Sequence, residues 1–250
     1  MWGQIDVATE AHSTLRFGAL IVCLRHRGDE WRLSYSYQES EDSDFSPEEG
    51  KWIRFITTAD ESMELTPVLP DRPLVIRPES PVSIFPGRMA SFFVALPVWY
   101  RFIAVSKQKR TDLIDIPSRV LSNTWFGDPS GGELCYSLDA PLRRAPERLD
   151  DRARAVTCQL TVRNGSQEKL NFERICVHVE NLSIFEADGF LWTNEINVLF
   201  KGIEQVSQTT IKERAPGNLS NAKKVTPPRE VANRNILRRS FVFFRQFTGI

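Results

Sequence analysis

A chain of 250 residues, 41% hydrophobic and 26% charged, is long enough for one large or two small domains with cores of their own, and its composition excludes a disordered, collagenous or disulfide-dense protein. Lys and Arg (32) balance Asp and Glu (32), which excludes a domain that coats nucleic acid by bulk attraction and leaves only a local patch open. The balance is uneven: Asp29 to Glu64 carries eleven acids against three bases (net −8), and residues 201–250 carry ten bases against three acids (net +7). The two segments can pair within one molecule, between copies, or with outside partners.

The chain starts Met-Trp-Gly-Gln-Ile-Asp, without the basic and apolar regions of a secretory signal. The run Phe17 to Leu24 is far short of the roughly 20 residues that span a bilayer. A cytoplasmic protein is expected, with a membrane-peripheral placement as the other option. Cys23, Cys135, Cys158 and Cys176 are then expected to stay reduced.

Period-two alternation, broken by turn residues, predicts strands throughout. Phe17 to Arg25 and Trp31 to Tyr37 flank Arg27-Gly28-Asp29-Glu30 as a hairpin, and Gln38 to Gly50 reads as a solvated acidic loop. Short strands follow at 51–57, 74–77, 82–85 and 90–96, with five prolines between Pro67 and Pro81 that leave no room for a long helix. The run Trp99 to Ser106 leads into Lys107-Gln108-Lys109-Arg110, a boundary between halves. Strands resume at 113–121 and 134–138, on either side of Trp125-Phe126-Gly127-Asp128-Pro129-Ser130-Gly131-Gly132. Residues 143–154 form a charged helix or loop. Val156, Cys158, Leu160 and Val162 share a face, and Asn164-Gly165-Ser166 predicts a hairpin with residues 170–179, bulged near Glu173 or Arg174 where the apolar parity changes. Strands at 182–186, 190–192 and 195–200 surround an Asp188-Gly189 turn, and residues 213–229 read as a mobile linker.

The segment 233–250 differs in kind. On a helical wheel Ile236, Leu237, Phe241, Phe243, Phe244 and Phe247 fall within roughly 160°, and Arg238, Arg239 and Arg245 fall outside that arc. As an amphipathic helix it would lie on an anionic membrane or in a partner's groove. Ser240 to Phe244 equally favours a final strand folded onto the protein's own sheets.

Motifs that carry chemistry are absent: there is no phosphate-binding glycine loop, no G-x-S-x-G, no CxxC and no HExxH. Cys176 and His178 share a strand face and offer two metal ligands, with others needed from Cys158 and an unidentified position; a buried structural face is the simpler reading. Pairs such as Asp112 and Asp115 read as solvated charge. The loop Asp128 to Glu133 offers a ligand site or a plain turn, and Trp125 and Phe126 before it anchor a site or fill the core.

At this loop the chain resembles a known family. Trp125-Phe126-Gly127-Asp128-Pro129, then Gly131-Gly132 and Leu134-Cys135-Tyr136, is similar to the central signature of the domain of unknown function 432 family, and the run from Val162 through Ile175 to Leu182 is similar to its following hairpin. The family pattern has Tyr where Phe126 stands and an Arg between the Cys and the Tyr. The resemblance implies a β-rich protein without an assigned activity, and so transfers no catalytic residue. It also implies a neighbourhood of small-conductance mechanosensitive channel genes, a pointer to a membrane-associated partner.

The expectation is an all-β protein of two β-sandwich-like modules, 1–108 and 109–225, with a basic aromatic tail, 226–250, as a short amphipathic helix or strand. Its expected role is a non-catalytic interaction or binding module, self-associating or acting with a membrane-associated partner through Arg238, Arg239, Phe243, Phe244, Arg245 and Phe247. The alternative is a small-molecule or carbohydrate-binding sandwich using Trp125, Phe126, Gly127, Asp128, Gly131 and Gly132; an enzyme of unrecognised type is a third reading. No catalytic residue, metal, cofactor or nucleic acid is expected.

Overall fold

Alternating apolar side chains reach a common core only from an extended backbone, and the chain is all-β. The computed structural model describes residues 2–7, 12–38, 51–58, 60–107, 109–146, 154–203, 205–217, 219, 221–231 and 235–237. In chain order the strands are β1 (Gly3–Ile5), β2 (His12–Phe17), β3 (Leu20–Arg27), β4 (Glu30–Tyr37), β5 (Ile53–Ile56), β6 (Ser62–Val68), β7 (Leu74–Arg77), β8 (Val82–Ile84), β9 (Met89–Pro97), β10 (Trp99–Val105) and β11 (Arg110–Pro117). There follow β12 (Asn123–Phe126), β13 (Glu133–Asp139), β14 (Ala155–Asn164), β15 (Leu170–Phe172), β16 (Ile175–Val177), β17 (Ile184–Ala187), β18 (Phe190–Thr193), β19 (Ile196–Phe200), β20 (Gln208–Ile211), β21 (Lys223–Thr226) and β22 (Asn235–Leu237). A single 3-10 turn, Val179–Asn181, is the helical element among the described residues, and no helix there is long and apolar enough to cross a membrane.

Two compact units divide the chain, Met1–Val68 with Pro97–Val120 and Leu69–Leu96 with Leu121–Ile250. Lys107 and Lys109 lie between β10 and β11 and Arg110 opens β11, all inside the first unit.

The first unit is sandwich-like, with two four-stranded antiparallel sheets in the orders β1-β6-β10-β11 and β2-β3-β4-β5. The hairpin predicted around Gly28 forms as β3–β4, with Gly28 at φ +61 in its turn. Leu20, Ile21, Leu24 and Leu33 from one sheet and Met63, Leu65, Tyr100 and Phe102 from the other are fully buried. Phe17 stacks on Tyr100 across the unit with ring centroids 4.0 Å apart. The Tyr37 hydroxyl donates to the Pro117 carbonyl at 2.7 Å, and burial pushes the phenol up to about 12 from its ordinary 10. The neutral phenol is the form the fold prefers, so its contribution is complete below pH 10 and is lost as pH rises through about 12. Tyr37→Phe is expected to lower stability by about 1 kcal/mol at neutral pH and to remove one tyrosine from the high-pH end of an alkaline absorbance titration.

The second unit holds the sheet β12-β13-β7-β16, the pair β15-β8, and a large sheet in the order β21-β17-β18-β14-β19-β20-β22, with β9 also pairing β14. The Asp188-Gly189 hairpin forms as expected, with φ +52 and +77 at its two turn residues, the left-handed pair that a tight two-residue turn requires. The Asn164-Gly165 hairpin does not form. Strand β14 pairs in parallel with β18 and β19, while β15 pairs β8 and β16 pairs β7. The reason is the Asn164 side chain, fully buried, whose amide donates to Ile84 O (2.8 Å) and Glu168 O (2.7 Å) while its oxygen accepts from Ser166 N (3.0 Å) and Ser166 Oγ (2.8 Å). Asn164 thus spends its polar groups on holding a sheet-changing corner. The parity break at 173–174 is the gap between β15 and β16, where the chain changes sheets.

The linker reading of residues 213–229 is overturned in part. Strand β21 pairs β17, and Arg229 Nε donates to Leu69 O at 2.6 Å. For the tail, Asn235–Leu237 is strand β22 on β20, so the helical alternative finds no support; residues 238–250, which include Arg238, Arg239, Phe243, Phe244, Arg245 and Phe247, lie outside the described residues. So do residues 39–50 of the acidic loop and residues 147–153.

Candidate functional site

The β12–β13 hairpin is closed by residues 127–132. Trp125 Nε1 (3.0 Å), Gly132 N (2.8 Å) and Gly131 N (3.3 Å) all donate to the Asp128 carbonyl. Gly127 sits at φ +108, and a Cβ on Gly132 would lie 2.4 Å from Trp125 Nε1, 2.6 Å from Phe126 O and 2.8 Å from Asp128 O. The interior of the turn is therefore solid, and its aromatic and glycine residues fix the register in which β13 leaves it.

That register sorts side chains onto two faces, since directly paired residues share a face and neighbours along a strand alternate. Phe126 pairs Glu133, Ser137 pairs Val75, and Val75 pairs Cys176. Phe126, Glu133, Cys135, Val75 and Cys176 consequently share the inner face, on which Val75, Phe126, Cys135 and Cys176 form a buried cluster. Glu133 Oε and the Sγ atoms of Cys135 and Cys176 all lie within 4.8 Å of one another. The hydrogen bond with Cys135, then burial, pushes the Cys176 thiol well above its usual range.

His178 extends this face. Its Nδ1 is 3.1 Å from Glu180 Oε1 and its Nε2 is 3.4 Å from Glu133 Oε1, with His178 (6% exposed) and Glu180 (4%) both buried. Asn181 Nδ2 donates to the same Glu180 oxygen at 3.2 Å. A small pocket lined by Cys176, His178, Ile196, Val198, Thr209 and Ile211 lies between Cys176 and the large sheet.

The outer face carries different chemistry. Trp125 (49% exposed) and Leu134 (45%) pair across the hairpin. Beside them the Tyr136 hydroxyl donates to Asp71 Oδ1 at 2.9 Å, the Arg72 guanidinium lies 5.3 Å over the Tyr136 ring, and Arg72 also donates to Asn123 Oδ1 at 3.2 Å. Burial, then the Asp71 hydrogen bond, raises the Tyr136 phenol above its ordinary value.

The sequence pattern of a family described as Protein of unknown function (DUF432) matches residues 1–245. The chain belongs to this family. No curated protein and no solved structure matches it. Membership of DUF432 names no reaction, so the chemistry of the site rests on the residues of this chain.

In this DUF432 protein the six residues expected at a ligand site do not converge on one concavity. Trp125 lies on the outer face, Phe126 in the inner cluster, and Gly127, Asp128, Gly131 and Gly132 in the turn between them. All four cysteines are free and buried, as expected of reduced thiols. Cys158 does not face Cys176: its thiol bonds Thr193, and Cys176 meets Cys135 instead. Sequence reading paired Cys176 with His178 but missed Glu133, Cys135 and Glu180. The available signal was spacing, Glu-x-Cys at 133–135 and Cys-x-His-x-Glu at 176–180.

Proposed function

We propose that this DUF432 chain is a non-catalytic interaction module that self-associates through the outer face of β12–β13. The observation that carries the reading is the cross-strand pair of exposed Trp125, on the edge strand β12, and Leu134, on its neighbour β13, flanked by Tyr136 and Arg72. Aromatic and Arg side chains around an apolar centre are the composition of interface hot spots, and an edge strand offers backbone groups to a second copy. The net −8 and +7 segments of the chain supply charges that a second copy complements. A cytoplasmic setting suits the four free thiols, and a membrane-associated protein is the second partner class the family resemblance suggests.

Light scattering across a dilution series is expected to show a mass rising from one chain toward two. Leu134→Glu, which leaves the turn untouched, is expected to weaken the association by roughly 30-fold, the effect of losing about 2 kcal/mol at a hot spot. A single-chain mass at every concentration, or an association that Leu134→Glu leaves intact, overturns the reading. The small-molecule or carbohydrate alternative draws support from the same exposed indole of Trp125; it is recognised by a ligand-dependent thermal shift that Trp125→Ala removes.

A further inference from the structure

The inner face of the same sheet points elsewhere. Two thiols and a carboxylate meet there, Glu133 and Cys135 from β13 and Cys176 from β16, and the imidazole of His178, just beyond β16, reaches the carboxylate of Glu133. Buried cysteines ordinarily act as small apolar side chains. Here the two sulfurs face each other and a carboxylate within one 4.8 Å cluster. A zinc–sulfur bond of about 2.3 Å places two thiolates of a tetrahedral site about 3.8 Å apart, so the observed grouping is close to a coordination shell.

His178 is held against this cluster from its far side. Its Nδ1 faces the buried Glu180 carboxylate at 3.1 Å, and Glu180 is itself held by Asn181. The other ring nitrogen, Nε2, faces Glu133 Oε1 at 3.4 Å. A carboxylate behind the far nitrogen of a histidine is the arrangement that fixes the tautomer of metal-ligating imidazoles and raises their basicity. Soft sulfur with imidazole and one carboxylate selects zinc-class ions over magnesium or calcium, which take all-oxygen shells.

We propose that Cys135, Cys176, His178 and Glu133 form a binding site for a single zinc-class divalent ion, with Glu180 as the positioning residue for His178. The thiol protons leave to solvent on binding. Once His178 moves from Glu133 onto the ion, four protein ligands close the shell, so the ion's task is structural: it joins β13 to β16 and the residue beyond it across β7, which lies between them.

The test uses the full chain, purified under reducing conditions from zinc-supplemented cells and, separately, stripped with a chelator and reloaded. Elemental analysis is expected to find about one zinc per chain, falling at least tenfold in the Cys135→Ser, Cys176→Ser double variant. Cobalt loaded into the stripped wild type is expected to give a thiolate-to-cobalt charge-transfer band with the d–d bands of a tetrahedral ion. Glu180→Gln is expected to weaken binding roughly 10- to 100-fold while leaving that spectrum unchanged in shape. Cys158→Ala, which alters a buried thiol outside the cluster, is expected to keep the ion. Because the double variant is not needed for the cobalt measurement, a failure of that variant to fold leaves the test intact. Reduced wild type that retains under a tenth of an ion and shows no charge-transfer band overturns the proposal. So does loss of the ion in folded Cys158→Ala, or a Cys135–Cys176 disulfide in a chain that takes no metal when reduced.

Discussion

Gly132→Ala is expected to destabilise the second unit by about 3 kcal/mol or more, where Gly131→Ala one residue earlier changes stability by less than about 0.5 kcal/mol. A Cβ at Gly131 meets nothing within 4 Å. A Cβ at Gly132 meets the indole nitrogen of Trp125 at 2.4 Å and two backbone oxygens at 2.6 and 2.8 Å. The indole is itself tied to Asp128 O, so no neighbour at Gly132 is the free end of a flexible side chain. Relief requires the turn to open, which breaks the three hydrogen bonds that converge on the Asp128 carbonyl. Denaturant unfolding followed by tryptophan fluorescence and far-UV circular dichroism measures the difference. Equal midpoints for the two alanine variants would show that the turn adapts.

Asn164→Ala has the second large effect, expected at about 3 kcal/mol. The side chain is fully buried and makes four hydrogen bonds, two as donor and two as acceptor. Alanine leaves the Ile84 and Glu168 carbonyls and the Ser166 amide without these partners. Asn164→Asp keeps the acceptors but loses both donations and adds a charge at a buried corner, so it is expected to be no better tolerated. Asn171→Ala, at an exposed contact with Ser83 Oγ (2.7 Å), is the control and is expected to stay within about 0.5 kcal/mol. Thermal melts of the three variants separate the corner from a generic loss of an asparagine.

The contrast between Asn164-Gly165 and Asp188-Gly189 explains how much of the fold was legible. Both dipeptides carry the chemistry of a tight hairpin. At 188–189 the arms are adjacent partners and the local signal decides the outcome, as it does at Gly28. At 164–165 a buried amide ties the corner to Ile84, far back in the sequence, and Gly165 N donates to Phe200 O, so long-range partners win over turn propensity. Strand β6 is obscured in the sequence because Pro67, a residue that marks turns and lacks a backbone donor, occupies the third buried position after Met63 and Leu65. Strand β21 escaped because Lys223 and Lys224 make an edge strand look like linker. The candidate site shows the same limit. Its outer face was partly legible in Trp125, whereas the inner cluster depends on β7 lying between β13 and β16, a placement that period-two patterning does not encode.

The interleaving of the two units also sets an order for biosynthesis. A ribosome delivers the chain from its N-terminus, yet the first unit lacks β10 and β11 until residue 120 has emerged, and residues 69–96 arrive before any strand of the second unit that follows Val120. Strand β7, the middle of the site sheet, emerges with neither of its neighbours made. It must wait for β13 and then β16 while its buried Leu74, Val75 and Ile76 stay exposed to solvent or to a chaperone. The same interleaving means that cutting the chain at any one peptide bond cannot yield both units whole.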